Sequence, residues 1–135
     1  MLKKKSTIIS IACCCVMLLF FGFATADDTL LSPQDAQAMI LANKDNPQFI
    51  ILDVRAREHF EQGHIEGARA INYYATNFAR LVGQLDREAT ILIYCQRGRQ
   101  SPLALRAMSR MHFEKMYVLD GGFLAWVEAG LPVER

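Results

Sequence analysis

Apolar runs of strand length alternate along the chain with segments in which apolar residues recur at helical spacing. The runs at residues 49–54, 89–94 and 116–119 predict strands covered on both faces, and residues 68–72 predict a further short strand. Helical spacing is found at residues 33–42, 77–85 and 123–129 and from 101 onward, and residues 57–62 form a short polar–apolar segment. This order predicts an α/β fold with a mostly parallel central sheet and helices on both faces.

Helix ends are marked by residues with known terminal preferences. Ser32 is a good N-cap and is followed by Pro33, which suits the first helical position. The same Ser-Pro pair recurs at Ser101, so a second helix is expected to begin there in the same way. Gly130 is expected to end the last helix.

The first 26 residues have the composition of a secretory signal peptide. Three lysines precede an apolar stretch, and Ala24-Thr25-Ala26 forms a cleavage site. We therefore expect export to the periplasm and a single domain over residues 27–135. An uncleaved membrane anchor is the alternative, since residues 6–23 approach the shortest length that spans a bilayer. Lipidation at Cys13 is disfavoured because Ser10 stands where an aliphatic residue is required.

Composition limits the partners that the domain can have. The chain has 15 basic and 14 acidic residues, and loss of the three leader lysines would leave it slightly acidic, so nothing favours nucleic acid or an anionic membrane. Cys95 would be the only thiol after cleavage, which excludes a disulfide scaffold. The spacing of His59 and His64 fits no common zinc pattern. We expect no metal or organic cofactor, no membrane contact after cleavage, and a monomer.

The segment YCQRGRQSP places Cys95 at the end of a predicted strand, and five residues separate it from Ser101, which opens the next helix. Those five residues must make a tight return, and Gly98 permits backbone angles that other residues resist. Such a turn can direct several N–H groups at one anion, and the following helix adds its positive end. We therefore expect the pKa of Cys95 to lie below the free value of about 8.5.

Two interpretations of Cys95 compete. A cysteine after a strand is often a small buried apolar residue without chemistry. Arg97 and Arg99 beside it favour a nucleophile, because guanidinium groups bind oxyanions well. At least one of the two arginines should face an incoming anion, and either could instead be a solvated surface charge.

Three segments resemble the signatures of the rhodanese-like sulfurtransferases, in the order of that family. "ILDVRAREHFEQGHIEGARAIN" is similar to the amino-terminal signature, "YCQRGRQS" to the active loop, and "VLDGGFLAWVEAGLPV" to the carboxy-terminal signature. The loop also resembles that of the small exported single-domain type of the phage-shock response, which similarly ends in Gly-Arg-Gln-Ser. One departure is His112, which stands where the family often has glycine and must then adopt a left-handed turn.

The resemblance implies a rhodanese-like fold and a thiosulfate sulfurtransferase of the thiosulfate:cyanide type. Cys95 would take a sulfane sulfur from an anionic donor, hold it as a persulfide, and pass it to cyanide or a thiol in two covalent steps. Asp53 would hold the loop or Arg55, and Arg55 and His59 would reach the rim of the site unless they are exposed. The residues expected to bind substrate are those of the loop: Gln96, Arg97, Gly98, Arg99, Gln100 and Ser101.

Two alternative functions are disfavoured by the loop sequence, and a third remains open. A cysteine phosphatase would require arginine at position 101, where this chain has Ser101, and its loop is one residue longer. A persulfide carrier or thiol-binding partner module with little turnover on free thiosulfate would use the same loop and remains open. A non-catalytic module is disfavoured because Cys95 is present.

Overall fold

A computed structural model describes residues 29–135, so the predicted signal peptide lies outside the described residues. Its strands form one five-stranded sheet, in the order β1-β5-β4-β2-β3, and every strand pair is parallel. The strands are β1 (Leu30–Leu31), β2 (Phe49–Asp53), β3 (Arg69–Ala70), β4 (Thr90–Tyr94) and β5 (Met116–Leu119). Within residues 29–135 there is no helix long and apolar enough to cross a membrane.

The described region has five helices, of which the first four connect successive strands and the fifth follows β5. They are α1 (Pro33–Ala42), α2 (Arg57–Gln62), α3 (Phe78–Val82), α4 (Ser101–Ser109) and α5 (Gly122–Glu128). The side chain of Ser32 accepts a hydrogen bond from the N–H of Asp35, so the predicted N-cap of α1 is confirmed. The prediction of α/β architecture with a parallel sheet is also confirmed.

Two differences from the predicted elements are at the edges of the sheet, and α3 is shorter than the helix predicted at residues 77–85. The strand expected at residues 68–72 has only two ladder residues, because β3 pairs with β2 alone and its chain then turns away. The two-residue strand β1 at the opposite edge was not predicted. Its pairing with β5 is a long-range contact that leaves no pattern in so short a segment.

Ser101 and His112 lie where the sequence predicted a particular turn or helix end. Ser101 is the first residue of α4 and not its N-cap, since Gln100 occupies the cap position without a side-chain cap. The expectation that α4 begins as α1 does is therefore wrong by one residue, and the Ser101 side chain is buried. His112 has φ of 67°, so the expected left-handed histidine is confirmed.

The core has two layers because successive side chains of a strand point to opposite faces of the sheet. In β2, Ile50 and Leu52 pack with residues of α3 and α4, whereas Ile51 packs with residues of α1 and α5. Both faces are covered, which explains why β2, β4 and β5 read as continuous apolar runs.

The carboxyl ends of three neighbouring strands meet at one edge of the sheet. Asp53, the last residue of β2, is paired in register with Tyr94, the last of β4, and Cys95 follows directly. The chain leaving β5 passes through Gly121 and Gly122 into α5. Parallel α/β sheets bind ligands at this edge, and here it brings together segments far apart in sequence.

Candidate active site

Cys95 lies just beyond β4, and its side chain is directed into the turn formed by the residues that follow it. The backbone N–H groups of Gly98 and Gln100 donate to its Sγ at 3.1 and 3.3 Å, and the Ser101 hydroxyl lies 3.5 Å from the same sulfur. Cys95 is 1% exposed and forms no disulfide within residues 29–135. The turn thus holds a reduced thiol in the position of the anion in a backbone nest.

Two opposing effects set the pKa of Cys95. Burial raises it, because a thiolate loses its hydration. Hydrogen bonds from the Ser101 hydroxyl and from backbone N–H groups, including those of Ser101, Gln100 and Arg97, together lower it more, so the net pKa lies below the ordinary value of 9.0. The expected direction of the shift is confirmed, and its cause is chiefly the hydrogen bonds.

The start of α5 forms hydrogen bonds to the turn that follows Cys95. The N–H of Phe123 donates to the carbonyl of Cys95 at 2.7 Å, and that of Leu124 donates to the carbonyl of Gln96 at 3.1 Å. Gly122 has φ of 65°, and a Cβ on it would lie 2.5 Å from the Cys95 carbonyl oxygen and 2.8 Å from the Gly98 nitrogen. Only glycine permits this close approach.

Asp53 and Arg55 form a buried ion pair behind the turn. The Arg55 Nη2 lies 2.7 Å from the Asp53 carboxylate, and the two residues are 3% and 0% exposed. The Nη1 of Arg55 donates to the side-chain oxygen of Gln96 at 2.8 Å. The guanidinium also lies 4.2 Å from the centre of the Phe123 ring, a cation–π distance.

A cavity of about 370 Å³ opens over Cys95. Arg97 and Arg99 line it and are exposed, and within residues 29–135 neither guanidinium forms a hydrogen bond or ion pair. None of the described residues around the cavity is acidic, so its mouth favours anions. The lining residues are Arg55, Ala56, His59, Asn72, Tyr74, Cys95, Gln96, Arg97, Arg99 and Gln100.

The structure brings most of the predicted site residues around this cavity. Arg55 is buried, which excludes the exposed alternative for it, whereas His59 is exposed at the rim. Gly98 has φ of 82°, as a tight return requires. Its N–H faces the sulfur, as does the Ser101 hydroxyl, so these two residues line the thiol and not the open cavity.

Asn72 and Tyr74 also line the cavity and were not predicted to do so. Both follow β3, whose carboxyl end lies at the same edge of the sheet as that of β2. The rule that ligands bind at this edge, applied to β3 as well as to β4, would have identified the segment.

Two other residues, Trp126 and His64, make contacts with a structural role. Trp126 is 2% exposed and donates its indole N–H to the carbonyl of Pro132 at 2.8 Å, so it belongs to the core. His64 contacts the Phe60 carbonyl through Nδ1 at 3.0 Å and lies 3.3 Å from the Glu134 carboxylate through Nε2. These contacts agree with a residue that organises a turn.

Residues 32–129 match the model of the rhodanese-like domain family. The thiosulfate sulfurtransferase GlpE of Shewanella oneidensis is 38% identical over 79 residues, which are 58% of this chain and 76% of GlpE. GlpE of Vibrio cholerae is 32% identical over 101 residues, 73% of this chain and 88% of GlpE. The Alr3790 protein from Anabaena sp. matches with a TM-score of 0.66 at 28% identity, over 77% of this chain and 81% of that one.

The chain therefore belongs to the rhodanese-like family of sulfurtransferases. The family that the sequence resembles is thereby confirmed, and so is its fold.

Proposed function

We propose that the protein is a thiosulfate sulfurtransferase that moves a sulfane sulfur through a persulfide on Cys95. The observation that carries the proposal is the Cys95 thiol, which receives backbone hydrogen bonds at 3.1 and 3.3 Å beneath a cavity lined by the exposed side chains of Arg97 and Arg99. The activity for which the GlpE relatives are named supports thiosulfate as the donor.

In the first step the Cys95 thiolate attacks the outer sulfur of thiosulfate. A new S–S bond forms to Cys95 as the bond within thiosulfate breaks, and the electron pair of that bond leaves with sulfite. The persulfide carries the negative charge, which the loop N–H groups stabilise as they stabilise the thiolate. Arg97 and Arg99 attract the dianionic donor to the mouth.

In the second step a nucleophile attacks the terminal sulfur of the persulfide. Cyanide would leave as thiocyanate, and a thiolate would leave as a new persulfide. In either case the electron pair of the broken S–S bond returns to Cys95 as thiolate. No external oxidant or reductant is consumed, and the two half-reactions give ping-pong kinetics.

The test is the intact mass of the purified protein before thiosulfate, after thiosulfate and after cyanide. A gain of one sulfur that cyanide removes, absent in Cys95→Ala, would support the cycle. No gain on a reduced and accessible Cys95 would overturn thiosulfate as the donor. Rapid loading from another persulfide, followed by transfer to a protein thiol, would then favour the carrier alternative.

We also propose that residues 1–26 direct export and are removed. Fractionation of cells that produce the full chain, with N-terminal sequencing of the periplasmic product, tests this proposal. A product that begins at residue 27 supports it, and full-length protein in the membrane fraction would instead indicate an uncleaved anchor.

A further inference from the structure

The side chain of Gln96 connects the active turn to the ion pair behind it. The side-chain oxygen of Gln96 accepts a hydrogen bond from Arg55 Nη1 at 2.8 Å, and its backbone carbonyl accepts one from the N–H of Leu124 at 3.1 Å. Both the side chain and the carbonyl of this residue are therefore held, the side chain by Arg55 just beyond β2 and the carbonyl by Leu124 of α5. We propose that Gln96 is a positioning residue, which fixes the turn so that its N–H groups point at Cys95.

The Arg55 guanidinium is a rigid point of attachment. Its Nε donates to both Asp53 oxygens at 3.0 Å, and its Nη2 donates to Asp53 and to the Gly63 carbonyl, each at 2.7 Å. Nη1 has Gln96 as its partner in the described part of the chain. A hydrogen bond from the Arg55 guanidinium is charge-assisted because the group is ionised. Water replaces it poorly because Arg55 is only 3% exposed.

The position of Gln96 in the turn explains how this attachment affects the sulfur. Gln96 directly follows Cys95, and Gly98, two residues further on, donates its N–H to Sγ at 3.1 Å. Rotation of the Gln96 backbone would turn the following peptide groups away from the sulfur. The hydrogen bonds that favour the thiolate therefore depend on a side chain that does not contact the thiol in this structure.

A different role for Gln96 makes a different prediction. Arg55 also lines the cavity, so Gln96 could act chiefly by keeping Nη1 away from the incoming anion. Removal of the Gln96 oxygen would then strengthen donor binding and leave the thiol unchanged. Positioning instead predicts a thiol that titrates at higher pH, with a slower sulfur-loading step at saturating donor.

The proposal rests on Cys95 as the sulfur-accepting nucleophile, and Gln96→Met tests it because methionine keeps the length of the side chain without an acceptor oxygen. The control is Gln84→Met, the same change at an exposed glutamine beyond α3. The rate of Cys95 alkylation by iodoacetamide is measured against pH, together with the loading rate from saturating thiosulfate. Thermal unfolding of both variants establishes that they are folded.

We expect Gln96→Met to raise the pKa of Cys95 and to slow its alkylation about tenfold at pH values below that pKa. Loading should slow by a similar factor at low pH and recover as the pH is raised. A wild-type titration curve in Gln96→Met would overturn the proposal, as would a lower KM for thiosulfate with an unchanged curve. If the wild type does not load from thiosulfate, the proposed function fails, while the alkylation curves still test Gln96.

Discussion

Gly122→Ala should separate the support that α5 gives to the active turn from the general cost of changing a glycine. Alanine at φ of 65° costs about 1–2 kcal/mol in backbone strain. Its Cβ would also lie 2.5 Å from the Cys95 carbonyl oxygen and 2.8 Å from the carbonyl carbon of Gln96. Relief of that overlap by backbone movement typically costs about 1–3 kcal/mol more. The expected loss in free energy of unfolding is therefore about 2–5 kcal/mol.

Gly67→Ala is the matched control. Gly67 has φ of 77°, and a Cβ on it would meet no atom within 4 Å, so only the strain of about 1–2 kcal/mol applies. Urea unfolding of both variants measures the difference, and mass spectrometry after thiosulfate measures sulfur loading. Gly122→Ala should load far more slowly than Gly67→Ala at equal folded fraction. Equal stability and equal loading in the two variants would refute the claim that the Gly122 contact positions the turn.

Three further outcomes follow from the site. Ser101→Ala removes the hydroxyl 3.5 Å from the sulfur and should raise the pKa of Cys95, so its alkylation curve shifts to higher pH; an unshifted curve would contradict this role. Asp53→Asn leaves the buried Arg55 charge unpaired and should cost about 3–5 kcal/mol in urea unfolding, whereas a loss near zero would contradict it. Folding lowers the pKa of Cys95, so the free energy of unfolding of the wild type, relative to Cys95→Ala, should increase as the pH rises from that lowered pKa toward 9.0. The increase should be lost as the pH falls through the lowered pKa. A difference in unfolding free energy that does not change with pH would refute this prediction.

The central elements were predictable because local signals and tertiary packing agree there. The helix at 33–42 has a cap, a proline and helical spacing, and the structure has α1 at the same residues. The strand at 116–119 is likewise found where the apolar run places it. At β1 and β3 the bounds depend on which neighbouring strand is available for pairing, and that information is not local.

The candidate site divides in the same way. Cys95 and the turn after it could be identified from a strand end, a glycine and a following helix, all within eight residues of sequence. The contact of Gln96 with Arg55 spans 41 residues, and it depends on β2 and β4 lying side by side in the sheet. Sequence spacing predicted that Gln96 belongs to the loop, but it could not indicate that its side chain turns inward.

The groups that lower the pKa of Cys95 are not the arginine side chains that line the cavity. Arg97 and Arg99 are exposed, so solvent screens their effect on a buried sulfur, whereas the hydrogen-bond donors contact it directly. Those donors must also overcome the effect of burial, which raises the pKa. The geometry of the turn thus lowers the pKa of Cys95. Hydrogen bonds from α5 and from Arg55 hold the turn in place. In the proposed reaction, Arg97 and Arg99 act on the anion as it enters the cavity.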